Sequence, residues 1–211
     1  MDAATPSRRR LHRQLIDEHR ARQPGAQVGH RALVMAGPPG AGKSRMRQQL
    51  LDDESAWLRI DPDEFKEALL SQAIADGSYD SFIKPAAIAA AEQAGDPFYP
   101  LELSSLVHVE SSYLAMRARE EAMREGLNVI IDSVQAWPEA AERLGRELTA
   151  AGYTIDVVDV EVPFEVSEAR IRGRWRHDYV QALENGDAHH LGGRWVLARQ
   201  RPVWPAAEQC T

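Results

Sequence analysis

Short apolar-rich segments recur along the chain at Arg31–Ala36, Trp57–Ile60, Leu127–Ile131 and Tyr153–Val162. Runs of this length, with few polar interruptions, predict strands, and the first of them, Arg31–Ala36, is consistent with a buried one. Between them lie longer segments with apolar residues at helical spacing: 7–22, Lys43–Leu51, 63–75, Leu103–Arg124, Pro138–Ala151 and Phe164–Arg176. Gly126 marks a stop for the fourth of these, and Pro24-Gly25 ends the first. Residues 76–101 are broken by Gly77, Pro85, Gly95, Pro97 and Pro100 and read as loop with one Ala-rich helix. Alternation of strand and helix predicts a single α/β domain, with a mainly parallel sheet and helices on both faces. Residues 1–28 form a basic helix and linker ahead of a domain spanning 29–211.

Composition narrows this picture. The chain has 211 residues, 44% of them hydrophobic, and no apolar run near the roughly 18 residues of a membrane span. The basic N-terminus (Arg8, Arg9, Arg10, Arg13) is not followed by an apolar stretch, so a secretory signal is not expected. One cysteine, Cys210, excludes an intrachain disulfide and a cysteine-based zinc site, and a cytoplasmic location is the expectation. A net charge of −7 argues against a nucleic-acid-coating protein, and a membrane partner is not expected. The charge is uneven: seven arginines between Arg170 and Arg201 face only Asp178, Glu184 and Asp187, which suggests a local anion site.

The first strand runs into Gly37-Pro38-Pro39-Gly40-Ala41-Gly42-Lys43-Ser44-Arg45, which fits G-x-x-x-x-G-K-[ST]. Glycines let consecutive N–H groups curl around phosphate oxygens, and the helix opening at Lys43 adds its positive end. Residues 37–45 are therefore candidate ATP ligands, with Lys43 reaching the β- and γ-phosphates and the Ser44 hydroxyl placed on Mg²⁺. Asp132, ending the strand Leu127-Asn-Val-Ile-Ile, is the candidate second metal ligand; the alternative is a cap for the following turn. Asp61 and Asp63 emerge just after another strand, at the edge where such sheets bind ligands. Transfer to a hydroxyl requires a carboxylate near its proton, although one of this pair can cap the next helix while the other catalyses. Arg170 and Arg174 share one helical face, Arg172 and Arg176 the other, and only some can face phosphates. Gly192-Gly193 places Arg194 behind what reads as a flexible hinge. His177-Asp178 and His189-His190 lack regular metal-ligand spacing, and Trp175, Trp195 and Trp204 read as packing residues or as stacking surfaces.

Ala36-Gly-Pro-Pro-Gly-Ala-Gly-Lys43-Ser44, Ile60-Asp-Pro-Asp63-Glu-Phe, Val107-His-Val-Glu110-Ser-Ser-Tyr, Asn128-Val-Ile-Ile-Asp132 and Gly192-Gly-Arg194-Trp-Val together resemble the zeta-toxin family of P-loop kinases, over roughly residues 30–200. The resemblance implies a P-loop NTPase fold of the nucleoside-kinase type, three layers α/β/α. It implies a kinase using ATP and Mg²⁺ on a small hydroxyl substrate, often a sugar hydroxyl of UDP-N-acetylglucosamine. Alternatives are NAD, an antibiotic or another metabolite as acceptor, or a catalytically weak ATP-binding switch. By the same resemblance Asp63 is the general base, Arg172 and Arg194 are arginines of a lid around 172–195, and Asp61, Glu110 and Arg117 bind substrate. A small antitoxin protein is the implied partner.

Overall fold

The computed structural model describes residues 5–132, 138–185 and 191–196. Four strands, β1 (Arg31–Ala36), β2 (Leu58–Ile60), β3 (Val129–Asp132) and β4 (Thr154–Asp159), form a parallel sheet in the order β2-β3-β1-β4. Five of the six β1 residues are buried, as the continuous apolar run requires of a central strand. Seven α-helices follow the expected pattern: α1 (Pro6–Ala21), α2 (Lys43–Leu50), α3 (Pro62–Ala75), α4 (Ala86–Gln93), α5 (His108–Arg124), α6 (Pro138–Ala150) and α7 (Phe164–Asn185). One sheet face, with Ala32, Val34, Ile60, Val129 and Ile131, packs on side chains of α1, α3, α5 and α6. Leu33, Met35 and Ile130 on the other face meet Trp57 and Met46 of α2. No helix among the described residues is long and apolar enough to cross a membrane.

Three boundaries differ most from the sequence reading. α7 continues nine residues past Arg176 to Asn185, because nothing in His177–Glu184 breaks a helix and Ala182 is buried. Residues Pro100–Val107 form a 3₁₀ stretch, so α5 starts at His108 rather than Leu103. β4 ends at Asp159, short of Val162; it is an edge strand with Val157 exposed.

The basic helix α1 is packed into the same core as the sheet. Leu15 and Ile16 are buried against it, while Arg13 reaches Glu121 of α5 at 2.9 Å and Arg20 reaches Glu125 at the C-cap of that helix at 3.5 Å. The Gln23 amide bridges to β2, accepting from the Arg59 N–H at 2.7 Å and donating to the Arg59 carbonyl at 3.1 Å. His19 of α1 is buried and stacks on Phe65 of α3, ring centroids 4.7 Å apart, with Nε2 3.4 Å from Glu64.

Burial, reinforced by the nearby Arg22, pushes the His19 imidazole down to about 4. An unfolded imidazole titrates near 6.5, so between these values the unfolded chain binds the extra proton. The stabilisation is complete above about pH 6.5 and is lost as pH falls toward 4, an effect on the order of 3 kcal/mol. Urea unfolding at pH 7 and pH 5 will show a drop in midpoint that His19→Phe, which keeps the stacked ring, largely removes. Equal drops in both proteins would assign the acid sensitivity elsewhere.

Candidate active site

Parallel register carries the ends of β1, β3 and β2 to one edge. Met35 pairs with Asp132 and Ile131 with Ile60, so Asp132 and Asp61 emerge side by side next to the loop that follows β1. That loop, residues 37–42, turns sharply into α2. Gly37 has φ +124°, and a Cβ there would lie 2.3 Å from the Val160 carbonyl oxygen, so only glycine fits. α7 holds the loop from behind: the Ser167 hydroxyl donates to the Pro39 carbonyl at 2.6 Å, and Arg170 Nη1 donates to the Gly40 and Ala41 carbonyls at 3.0 and 3.1 Å. With those carbonyls tied outward, the first turn of α2 presents its unpaired N–H end at Lys43 and the exposed Ser44 and Arg45.

Lys43 Nζ donates to the Gly37 carbonyl at 3.0 Å and sits 3.7 Å from Asp132 Oδ1. The other Asp132 oxygen lies 3.6 Å from Arg47, a buried arginine whose Nε is 2.9 Å from Glu54. Asp132 is thus a carboxylate held among cations at the strand end. Mg²⁺ takes one or two protein oxygens and completes its shell with phosphate and water, and the exposed Ser44 hydroxyl and the Asp132 carboxylate are oxygen donors of that kind.

The two acids after β2 have separate jobs in the structure. Asp61 is the N-cap of α3, accepting from the Asp63 N–H at 2.9 Å. Burial, Asp63 and Asp132 together raise its pKa. The Asp63 carboxylate instead accepts from Lys66 Nζ at 2.9 Å and is paired with Arg194. Burial works to raise the Asp63 pKa, but Arg194 and Lys66 outweigh it and hold the carboxyl below its usual range.

Of three further groups that act on Asp63, Glu67 and His108 were not singled out in the sequence, and Arg174 was named there only among the α7 arginines. Glu67, one turn along α3, is pushed up by burial despite Arg194. His108, at the start of α5, is lowered by burial and Lys66, with Asp63 acting in the opposite sense. Arg174 is lowered by burial and by Arg194, while Asp178, Asp63 and Asp61 act to raise it. The i, i+4 relation of Arg170 and Arg174 was the available signal, since it puts both on the α7 face toward the site.

The remaining expectations are placed differently. Arg172 is exposed and pairs with Glu168 on its own helix at 2.8 Å, a correction that follows from its 200° rotation away from Arg170. Glu110 is clasped by Arg8 and His12 of α1 at 2.5 Å, so its carboxylate is engaged in docking that helix rather than facing Asp63. Arg117 pairs with Glu120 at 2.6 Å. Trp175 and Trp195 pack on each other at 5.3 Å between centroids. His189, His190, Trp204 and the Ser133-Val134 pair after Asp132 lie outside the described residues.

Comparison with known proteins adds family and fold. A family model described as an AAA domain, AAA_33, matches residues 33–190. The search of curated protein sequences gave no match. Among solved structures, the PezAT chromosomal toxin–antitoxin system of Streptococcus pneumoniae superposes with a TM-score of 0.58 at 14% identity, covering 90% of this chain and 68% of that one. The AvrRxo1-ORF1:AvrRxo1-ORF2 complex with ATP gives 0.55 at 19% identity, covering 79% and 49%. Its native form gives 0.53 at 20% identity, covering 79% and 50%, so this chain spans about half the length of the AvrRxo1 chains. The family match extends from β1 through the phosphate loop and beyond α7, and the fold is shared with the PezAT and AvrRxo1 structures: the chain belongs to the AAA_33 family of AAA domains.

Proposed function

We propose that the chain is an ATP-dependent phosphotransferase that moves the γ-phosphoryl group to an alcohol, with a sugar hydroxyl of a nucleotide-sugar such as UDP-N-acetylglucosamine as acceptor. One observation carries the reading: a carboxylate kept ionised by Arg194 and Lys66 opens α3 at the same sheet edge as the phosphate loop. Phosphoryl transfer needs positioning and charge neutralisation more than covalent chemistry. In this reading residues 37–45 cradle the triphosphate and Lys43 leaves the Gly37 carbonyl for the β- and γ-oxygens. Mg²⁺, held by Ser44 and Asp132, would neutralise charge on the transferring group. Asp63 takes the acceptor hydroxyl proton, and Arg194 with Arg174 supplies positive charge beside the transferred group.

A nucleotide-driven switch is the competing reading, since the phosphate loop alone supports either. Product analysis separates them. Incubation with ATP and UDP-N-acetylglucosamine, NAD or an aminoglycoside is expected to give one phosphorylated acceptor per ADP. Free phosphate as sole product across the panel would favour the switch. A toxin role with a protein antitoxin belongs to the same proposal, because PezAT is a toxin–antitoxin system. Co-purification of a small cognate protein that suppresses turnover is its test.

A further inference from the structure

The Gly192-Gly193 pair does not behave as a hinge in the structure. A Cβ on Gly193 would stand 2.4 Å from the Trp175 carbonyl oxygen and 3.0 Å from its carbonyl carbon, both backbone atoms that cannot swing aside. A Cβ on Gly192 would stand 2.1 Å from the Tyr99 Cβ. These glycines are small because the segment lies directly on two aromatic residues. Two further ties fix it: the Leu191 carbonyl accepts from the Leu101 N–H at 2.9 Å, and the Trp195 ring meets Trp175 edge to face.

The aromatic residues are themselves braced. Tyr179 packs on Tyr99 and Trp175 at 5.3 and 5.2 Å, and its hydroxyl donates to the Pro97 carbonyl. Glu102 joins the two sides, accepting from the Trp175 indole N–H at 3.2 Å and from the Tyr99 N–H at 2.9 Å. Between the glycines and Trp195 stands Arg194, whose guanidinium is on Asp63.

We propose that Tyr99, Trp175 and Trp195 are positioning residues for the acceptor base: they clamp the 191–196 segment so that Arg194 stays on the Asp63 carboxylate. The proposal rests on the phosphotransferase reading for its purpose, and on packing alone for its geometry. An arginine anchored by its flanking backbone loses less freedom when it pairs, so it remains in place more of the time.

The surroundings of Asp63 make this placement matter. Among the described residues, the groups acting on it are Asp61 at the cap, Lys66 and Glu67 on α3, His108 on α5, Arg174 on α7 and Arg194. Two of these are acids. Without Arg194, Lys66 is the close cation left on the carboxylate, and burial with Asp61 and Glu67 favours the protonated form, which cannot accept a proton.

The test uses Trp195→Ala, which removes one anchor at a partly exposed position, and Gly193→Ala, which forces the segment off Trp175. The Asp63 carboxyl titration, followed by carbon NMR in the free protein, needs no acceptor. Both variants are expected to raise the Asp63 midpoint by about one pH unit, in the same direction as Arg194→Ala, while Trp195→Phe stays close to wild type. Trp195→Ala added to Arg194→Ala should give no further change. In turnover assays the acid limb of kcat/KM should move with the NMR midpoint, with ATP affinity unchanged. A wild-type Asp63 titration in both folded variants overturns the proposal, as does an additional shift in the double variant. Absence of transfer to every acceptor would instead remove the phosphotransferase reading, leaving the titration to decide the clamp.

Discussion

Asp63→Asn is expected to lower phosphotransfer by roughly 10²–10⁴-fold while leaving ATP affinity and the far-ultraviolet spectrum unchanged. The amide is nearly the same shape and its one oxygen can still accept from one of the two cations, Lys66 or Arg194, that hold separate oxygens of the carboxylate, so α3 keeps its first turn. What it loses is the ability to take a proton from the acceptor hydroxyl. Asp61→Asn is the matched control, because asparagine caps a helix about as well as aspartate and the Asp61 carboxyl is occupied by the Asp63 N–H. Transfer should survive in that variant to a much larger extent. Wild-type turnover by purified Asp63→Asn would mean that the base is another group, and His108 and Glu67 are then the alternatives to test.

Lys43→Ala should abolish both tight ATP binding and transfer, a loss on the order of 10²-fold or more in turnover. Lys43 lies 3.7 Å from Asp132 and is tethered to the loop carbonyls at Gly37 and Pro38. Removing it leaves the Asp132 carboxylate with Arg47 as the nearby cation and puts an uncompensated negative charge beside the phosphates. Fluorescent-nucleotide titration together with a transfer assay reads both losses. Normal ATP affinity in this variant would contradict the placement of the triphosphate in the 37–45 loop. The two variants also separate functions: Asp63→Asn retains nucleotide binding, whereas Lys43→Ala loses it.

Much of the architecture was legible before any coordinates. Strand β1 is a nearly pure apolar run because it is covered on both faces, and that burial writes itself into composition. The phosphate loop is equally plain, since the tight turn at Gly37 tolerates no side chain and the chain therefore shows glycine there. Placement of Asp61, Asp63 and Asp132 just after strands was enough to put them at one sheet edge. The cap role of Asp61 remained open, because Asp61-Pro62-Asp63 offers two capping side chains one residue apart.

Long-range partners were not legible. Glu110 shares a sequence segment with the zeta-toxin resemblance, yet its carboxylate is held by Arg8 and His12, about a hundred positions away. Arg172 and Arg174 are indistinguishable in composition and both are exposed; the structure separates them by pairing Arg172 with Glu168 on its own helix and placing Arg174 within the electrostatic reach of Arg194 and Asp63. The double glycine suggested mobility, whereas the structure uses its small size for close contact with Tyr99 and Trp175.

The sequence by itself determined the alternation of strands and helices, the phosphate loop and the set of acids at strand ends. Each follows from a local rule: burial period, backbone conformation at glycine, or the chemistry of a helix start. Only the tertiary structure decided that α1 joins the core, that Arg47 and Lys43 share Asp132, and that Arg194 with Lys66 keeps Asp63 ionised. Those outcomes depend on which side chains meet across large separations in sequence, and such meetings are set by packing of the whole chain rather than by any segment within it.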